Sequence, residues 1–315
     1  MGLKSTHGKP IVFRPRTSEP SLTVICPSYN SGRFMRGTLE SIAAQDLEDF
    51  ECWVIDGGST DETLEILRRT VNLNWVSEPD KGVHDAQVKG WEIAQGRYLT
   101  HCCISDGYLD PTWLRRCVEE LDGNPEASLV WGYPQCMTES GDLGDVSYGQ
   151  FDRLGAPDME DFTYYWLWFG LNLPEGNFVV RREALKDCWP SYSVPMPAFD
   201  GLSFDPHLEF LNNFHDRGYL AKHIPVVASY GRAHADSITV NYEGRAASKY
   251  SRWSKRRLDL RRSILFGGRD YPFRGAGKKL ESRRFSKARM MSSWLRWYPE
   301  ISIWRLRRRI RSMVQ

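Results

Sequence analysis

The sequence predicts an α/β fold, a mixed central sheet flanked by helices and followed by a basic, mostly helical C-terminal extension. Three observations carry this. Short apolar runs rich in β-formers alternate with stretches of helical period from Ser21 onward. The first two of these runs stop abruptly, at Pro27 and at Asp56-Gly57-Gly58. The composition, 41% hydrophobic and 26% charged over 315 residues, supports one large core and excludes an intrinsically disordered chain.

The elements follow in order. Leu22-Thr23-Val24-Ile25-Cys26 reads as a strand, and Phe34, Leu39, Ile42 and Ala43 then recur at helical spacing. Phe50 to Ile55 is a second strand, with a helix expected to start at Ser59 and Glu62 as its capping-box partner. Asn74-Trp75-Val76 is a short strand, Val83 to Gln95 a helix, and Arg97 to Ile104 a strand. Past about Leu129 the alternation weakens. An aromatic run (Phe162, Tyr164, Tyr165, Trp166, Trp168, Phe169), read mainly as core, precedes a strand at Asn177-Phe178-Val179-Val180. The expected divisions are an N-terminal arm over 1–20, a catalytic domain over 21–243 split near residue 130, and an extension over 244–315.

Charge separates the same parts. Residues 245–315 hold 22 Lys and Arg against 4 Asp and Glu, which leaves 20 against 36 for residues 1–244. Seven scattered cysteines, an odd number without CxxC spacing, read as buried free thiols. No run reaches the roughly 18 to 20 apolar residues of a spanning helix, and residues 1–20 lack a signal peptide's apolar stretch, so a cytoplasmic location is expected.

In open α/β sheets, ligands gather beyond the carboxyl ends of the strands. Asn30, Asp56 and Asp106 all fall there. Asp56, in Val54-Ile55-Asp56-Gly57-Gly58-Ser59-Thr60-Asp61, can accept from a nucleobase N–H or can simply build a turn, and both readings stay open. Asp106, after Cys102-Cys103-Ile104-Ser105, can ligate Mg²⁺ or Mn²⁺, hard cations that take carboxylate and phosphate oxygens. A loop aspartate is its plainer reading.

Four ordered stretches together resemble family 2 glycosyltransferases of the GT-A fold, particularly small bacterial enzymes that build surface polysaccharides. They are Thr23 to Asn30 with Ser41-Ile42 and Gln45; Val54 to Asp61; Ser77 to Ala86; and Ser105-Asp106. The resemblance spans about Ser21 to Ser237. It implies a nucleotide-sugar donor, a UDP-sugar foremost, held by Pro27, Tyr29, Asn30, Asp56, Lys81, Asp85, Ser105 and Asp106, with Lys81 countering phosphate charge. It also implies a divalent ion at Asp106, with His234 in the segment that closes over the diphosphate. The acceptor-side base it implies is Asp205, with Asp200 second. Pro206 after it suits a helix's first turn, so Asp205 reads equally as an N-cap. Glu175-Gly176-Asn177 reads as a strand-entry turn near the sugar.

Two departures stand out. Gly107 follows Asp106 where the family has a second acid, and Val88 replaces a frequent Asn. The reaction implied is transfer with inversion to a hydroxyl of a glycan or lipid-linked acceptor in surface polysaccharide biosynthesis. A catalytically silent sugar-nucleotide-binding or scaffold relative is the alternative. A nucleotidyltransferase is less well supported, because no glycine-rich phosphate loop with a basic residue lies near the first strand.

In the extension, Ile303, Leu306, Ile310 and Met313 follow Pro299 at i, i+3, i+7 and i+10, with arginines around them. Such a stripe suits a helix lying on an anionic membrane, or a tail packed on the acidic catalytic domain. No nucleic-acid motif accompanies it.

Overall fold

The structure, a computed structural model, describes residues 9–15, 18–170, 173–174, 176–190, 206–235, 247–274, 280–283 and 286–314. The first three strands, β1 (Leu22–Ser28), β2 (Phe50–Asp56) and β3 (Asn74–Ser77), alternate with helices α1 (Gly32–Ala43), α2 (Thr63–Arg69) and α3 (Val83–Ile93). Strands β4 (Tyr98–His101) and β5 (Gly107–Tyr108) lead to α4 (Trp113–Gly123), β6 (Ala127–Met137) and β7 (Leu143–Val146). A 3-10 turn (Gly149–Phe151), α5 (Met159–Phe169), β8 (Val179–Arg181), α6 (Arg182–Cys188), α7 (Pro206–Asp216) and β9 (Leu220–Arg232) follow. The extension contributes α8 (Ala247–Leu265), a hairpin of β10 (Tyr271–Arg274) and β11 (Leu280–Arg283), and α9 (Lys287–Val314).

Among the described residues one sheet runs in the order β3-β2-β1-β4-β8-β6-β9-β5, with β7 on β6. β1 through β4 pair in parallel, while β8, β5 and β7 enter antiparallel. The sheet is therefore mixed, with its parallel half first in the chain. β1 shows why it is covered on both faces: Leu22, Val24 and Cys26 join one apolar cluster and Ile25 the other, as the two-residue period of a strand requires.

Helices α1 and α4 cover the first face, and α3, α5, α6 and α7 the second. The aromatic run is core: Phe162, Tyr164, Tyr165 and Trp166 of α5 are buried, and Trp168 and Phe169 pack at the margin. Of the cysteines, all but Cys103 and Cys136 are buried, and none is bridged. Residues 9–15 lie along the sheet's α2 side, where Phe13 donates to the Val71 carbonyl and Val71 to that of Ile11.

Besides small end shifts, with α3 stopping at Ile93 and β8 starting at Val179, two local expectations at the site change. Helix α2 begins at Thr63 rather than Ser59, because the Ser59 hydroxyl turns back to Asp56 and leaves Asp61 Oδ1 to receive the Thr63 N–H. The fourth strand ends at His101 rather than Ile104, where the chain leaves the sheet to form the Cys103–Asp106 turn.

The extension packs on the body. Met290, Trp297 and Ile301 of α9, Leu260 and Ile264 of α8, and Tyr271 and Phe273 of the hairpin all enter the second-face cluster. Arginines add ion pairs: Arg256 with Glu209 and Asp216, Arg289 with Glu160 and Asp161, Arg153 with Glu300, Arg311 with Asp145. Burying three large side chains of α9 stabilises the seam by roughly 5–8 kcal/mol. Partly exposed ion pairs add about 0–1 kcal/mol each, so the apolar seam holds the helix.

Candidate active site

The register places the site. Ser28, Asp56 and Ser77 are side-by-side partners at the carboxyl ends of β1, β2 and β3. Asp56 has no exposed surface, and its carboxylate is fully engaged. Oδ2 accepts from the Gly58 and Ser59 amides at 3.2 and 2.9 Å and from Ser77 Oγ at 2.7 Å, while Oδ1 accepts from Ser59 Oγ at 2.5 Å. The aspartate thus ties the β2 loop to the end of β3.

A second set of bonds ties that loop to β1. Asn30, held at φ 46°, donates its N–H to Ser59 Oγ at 2.7 Å and accepts the Thr60 N–H at 2.9 Å. Asp61 Oδ2 accepts from the Gly32 amide, and Ser31 N–H reaches Thr63 Oγ1. Tyr29 lies exposed above this stitching, and Pro27 is buried in β1.

Across β1, a polar stripe on α1 holds the Asp106 segment. Thr38 Oγ1 donates to the Asp106 carbonyl at 2.6 Å and accepts the Ser105 amide, while Ser41 Oγ accepts from Tyr108 N–H. Gln45 bridges Asp110 O and the Leu114 amide. Ser105 is kept at φ 135°, a conformation that costs on the order of 1–3 kcal/mol and persists because these bonds over-determine it.

Asp106 is only partly exposed. Its Oδ1 accepts from the Arg232 amide at 3.0 Å and from Ser105 Oγ at 3.4 Å; Oδ2 accepts no hydrogen bond from a described residue and faces Gly176. Burial pushes its carboxyl up to about 6, against the opposing pull of the Arg232 amide.

Gly107 has a physical reason. A Cβ there would stand 2.5 Å from Tyr230 Oη and 2.6 Å from Ser41 Oγ, since β5 is pressed between β9 and α1. A second acid does not fit without moving both neighbours. Val88, the other departure, packs at the margin of the second-face core.

The structure adds residues that sequence reasoning missed. Phe34 at the start of α1 lies under the guanidiniums of Arg33 (4.4 Å) and Arg232 (5.3 Å) and 4.7 Å from the ring of His234. Arg232 also donates through Nε to the Ser105 carbonyl. Positive charge therefore collects beside Asp106, at the amino end of a helix. The signal was available: Arg232 stands two residues from His234 in Gly231-Arg232-Ala233-His234. Its antiparallel neighbour β5, however, is more than a hundred residues away.

On the β3–α3 side, Asp85 Oδ2 accepts the Lys81 amide, and Lys89, not Lys81, carries the ion pairs, to Glu78 at 2.8 Å and Asp85 at 3.8 Å. The Lys81 side chain is exposed. Asp80 accepts from the Gly82 amide and abuts Gly57, and burial raises its carboxyl. Beneath, His84, His101 and His207 gather around Gln87, whose Oε1 meets His207 Nε2 at 3.0 Å. Burial pushes His101 down to about 4 and holds His207 well below its ordinary value. Asn177 is buried, donating to Gly132 O and Ser229 Oγ. Asp200, Asp205 and Glu175 lie outside the described residues.

Among the described residues no three His, Cys, Asp or Glu side chains gather as a metal cage. Among the described residues, what the site offers a cation is Asp106 Oδ2, a single hard donor, which suits an ion that arrives already holding phosphate oxygens and water.

Comparison with known proteins finds the same fold elsewhere. In solved structures the fold recurs in S. aureus TarS 1-349 in complex with UDP-GlcNAc, at TM-score 0.53 and 17% identity, over 69% of this chain and 60% of that one. It recurs in the mannosyltransferase PcManGT from Pyrobaculum calidifontis in complex with GDP-Man and Mn2+, at TM-score 0.51 and 21% identity, over 79% and 67%. A PGL/p-HBAD biosynthesis glycosyltransferase of Mycobacterium tuberculosis (strain ATCC 25177 / H37Ra) is 32% identical over 118 residues, 36% of this chain and 46% of the relative. The chain thus spans about half the length of the curated relatives it matches. Residues 23–189, more than half of the chain, match the description Glycosyl transferase family 2. The chain belongs to glycosyl transferase family 2.

Proposed function

We propose that this protein transfers a sugar from a nucleotide-sugar, a UDP-sugar foremost, to a hydroxyl of a glycan or lipid-linked acceptor in surface polysaccharide or glycolipid biosynthesis, with inversion at the anomeric carbon. The observation that carries the reading is the corner where Asp106 Oδ2 faces Gly176 beside Arg232, one strand from the stitched loops of Asn30 and Asp56.

In this reading the nucleoside lies over Tyr29, Asn30 and Pro27, with Asp56 holding the loop beneath it and Asp85 and Lys81 at its rim. A divalent ion, Mn²⁺ or Mg²⁺, bound between Asp106 and the diphosphate would neutralise charge on the leaving group. Arg232 and Arg33 add positive charge on the same side, with the His234 ring packed against Phe34 beside them, and Ser105 orients the carboxylate. Asp205, which precedes Pro206 in the sequence, takes the acceptor proton as the hydroxyl oxygen attacks, with Asp200 the second candidate for that base. The lipid-linked acceptor and the basic extension fit a protein that works at the cytoplasmic face of a membrane.

Packing at Gly107 favours a second reading, a relative that binds sugar nucleotides without turning them over. Donor turnover with UDP-, GDP- and dTDP-sugars in the presence of Mn²⁺, for wild type, Asp106→Ala and Asp205→Asn, separates the two. Transfer requires wild-type turnover and a fall of about 10²-fold or more in each variant. Nucleotide binding by calorimetry with no turnover of any donor selects the silent relative.

A further inference from the structure

Helix α9 carries two apolar faces. At 100° per residue, Met290, Trp297 and Ile301 lie on one side of the helix and are buried in the second-face core; Trp304, partly buried, continues their line. Leu295, Leu306, Ile310 and Met313 lie on the opposite side, with Met291 and Tyr298 at its edge. All six are exposed, Leu306 by 59%, Ile310 by 53% and Met313 by 81%. A soluble helix that packs on its own domain normally turns polar residues outward, so an apolar stripe along the free face of a 28-residue helix calls for an occupant.

Charge identifies the occupant. The stripe is flanked and interrupted by Arg305 and Arg309, both exposed, and the one acid of α9, Glu300, is turned inward and paired with Arg153. Arg307 and Arg311, on the intermediate side, reach Asp152 and Asp145 of the body. A second copy laid stripe on stripe would bring Arg305 against its equivalent, which like-charge repulsion disfavours. A surface that is negative at its rim and apolar beneath satisfies both features at once: apolar side chains enter the acyl boundary while arginines stay at head-group level.

We infer that the outward face of α9, from Met291 to Met313, is a seat for an anionic lipid surface, and that the inward face fixes the catalytic body to it. One helix therefore serves both as part of the core and as a membrane contact. The inference deepens the membrane location in the proposed function and rests on α9, so its failure leaves the sugar-transfer reading intact.

Flotation of the full-length protein with phosphatidylcholine vesicles, with and without phosphatidylglycerol, tests it. The protein is expected to float with the phosphatidylglycerol vesicles and to bind them more weakly as salt rises. The pair Leu306→Glu and Ile310→Glu, at exposed positions, is expected to weaken binding by about ten-fold or more while leaving thermal unfolding unchanged. The pair Arg305→Gln and Arg309→Gln is expected to weaken it by roughly five-fold per charge removed. No flotation with anionic vesicles overturns the inference. So does flotation that the arginine pair abolishes and the glutamate pair leaves alone, since that is adhesion without insertion. Sedimentation showing a dimer that the glutamate pair dissociates also overturns it, by giving the face to a second copy.

Discussion

The loops that end β2 and β4 flank the same strand, β1, and use their aspartates in opposite ways. Asp56 is closed: both carboxylate oxygens are taken by the loop it builds and by Ser77, with no surface left to solvent. Asp106 is held on one oxygen only, by the Arg232 amide and Ser105, and keeps the other toward the cleft. A carboxylate whose oxygens are both taken by donors of its own loop and the neighbouring strand acts as structure. One that is buried with few donors is unsettled as an anion and is available to a ligand that supplies positive charge. The difference teaches that position at a strand end does not define a role; the count of donors around the group does.

Three measurements break or sharpen that contrast. The largest effect is expected for Asp56→Ala, which leaves two buried amides and two hydroxyls without their acceptor. Stability in urea should fall by roughly 3–5 kcal/mol, and nucleotide binding should fall with it because the Asn30–Ser59 stitch loosens. Unchanged stability would place Asp56 with the ligand-facing groups instead.

Gly107→Ala comes next. The added methyl meets Tyr230 Oη and Ser41 Oγ, so overpacking should cost about 1–3 kcal/mol, and Tyr230→Phe in the same chain should recover part of it. If Gly107→Ala is neutral, the packing account of the missing second acid fails.

The smallest effect is expected for Asp106→Asn, and its sign is opposite to that of Asp56→Ala. The folded carboxyl, at about 6, lies above its unfolded value of 3.8, so the folded state holds the proton more tightly. Wild type therefore loses stability as pH rises from about 4 to about 6. Asp106→Asn should be the more stable protein at pH 7, by about 1–2 kcal/mol after allowance for the group's partial exposure, and equal to wild type below pH 4. Comparing the two at each pH cancels the buried histidines. His101 and His223 are pushed down to about 4 and His215 to about 3, so they act in the other direction, removing stability as pH falls below their unfolded range. An Asp106→Asn advantage that does not vary with pH would refute the buried-charge account.

Much of this was legible in the residues. The alternation of apolar runs with helical stripes marks β1 to α3 because each element there depends on local spacing, and Ser41 and Gln45 already stand one helical turn apart on the face that meets the Asp106 segment. The turn reading of Asp56 and its strand-end position are both present in one short stretch. Legibility faded past Leu129, where β6 takes partners as distant as β8 and β9 and β5 joins the sheet from a hundred residues away.

Sequence alone therefore determined the α/β class, the ordered loop motifs and the charge divided between body and extension, since these are properties of neighbouring residues. Tertiary structure decided that Asp56 is closed and Asp106 half open, that Arg232 rather than a second acid completes the Asp106 corner, and that Gly107 leaves no room for one. It also decided the fate of the apolar stripe in α9: the periodicity of a helix marks the stripe, but only packing shows whether the protein covers it itself. The physical reason is common to all four. Donor count, steric room and coverage are set by groups brought together across the sheet, and no local spacing encodes them.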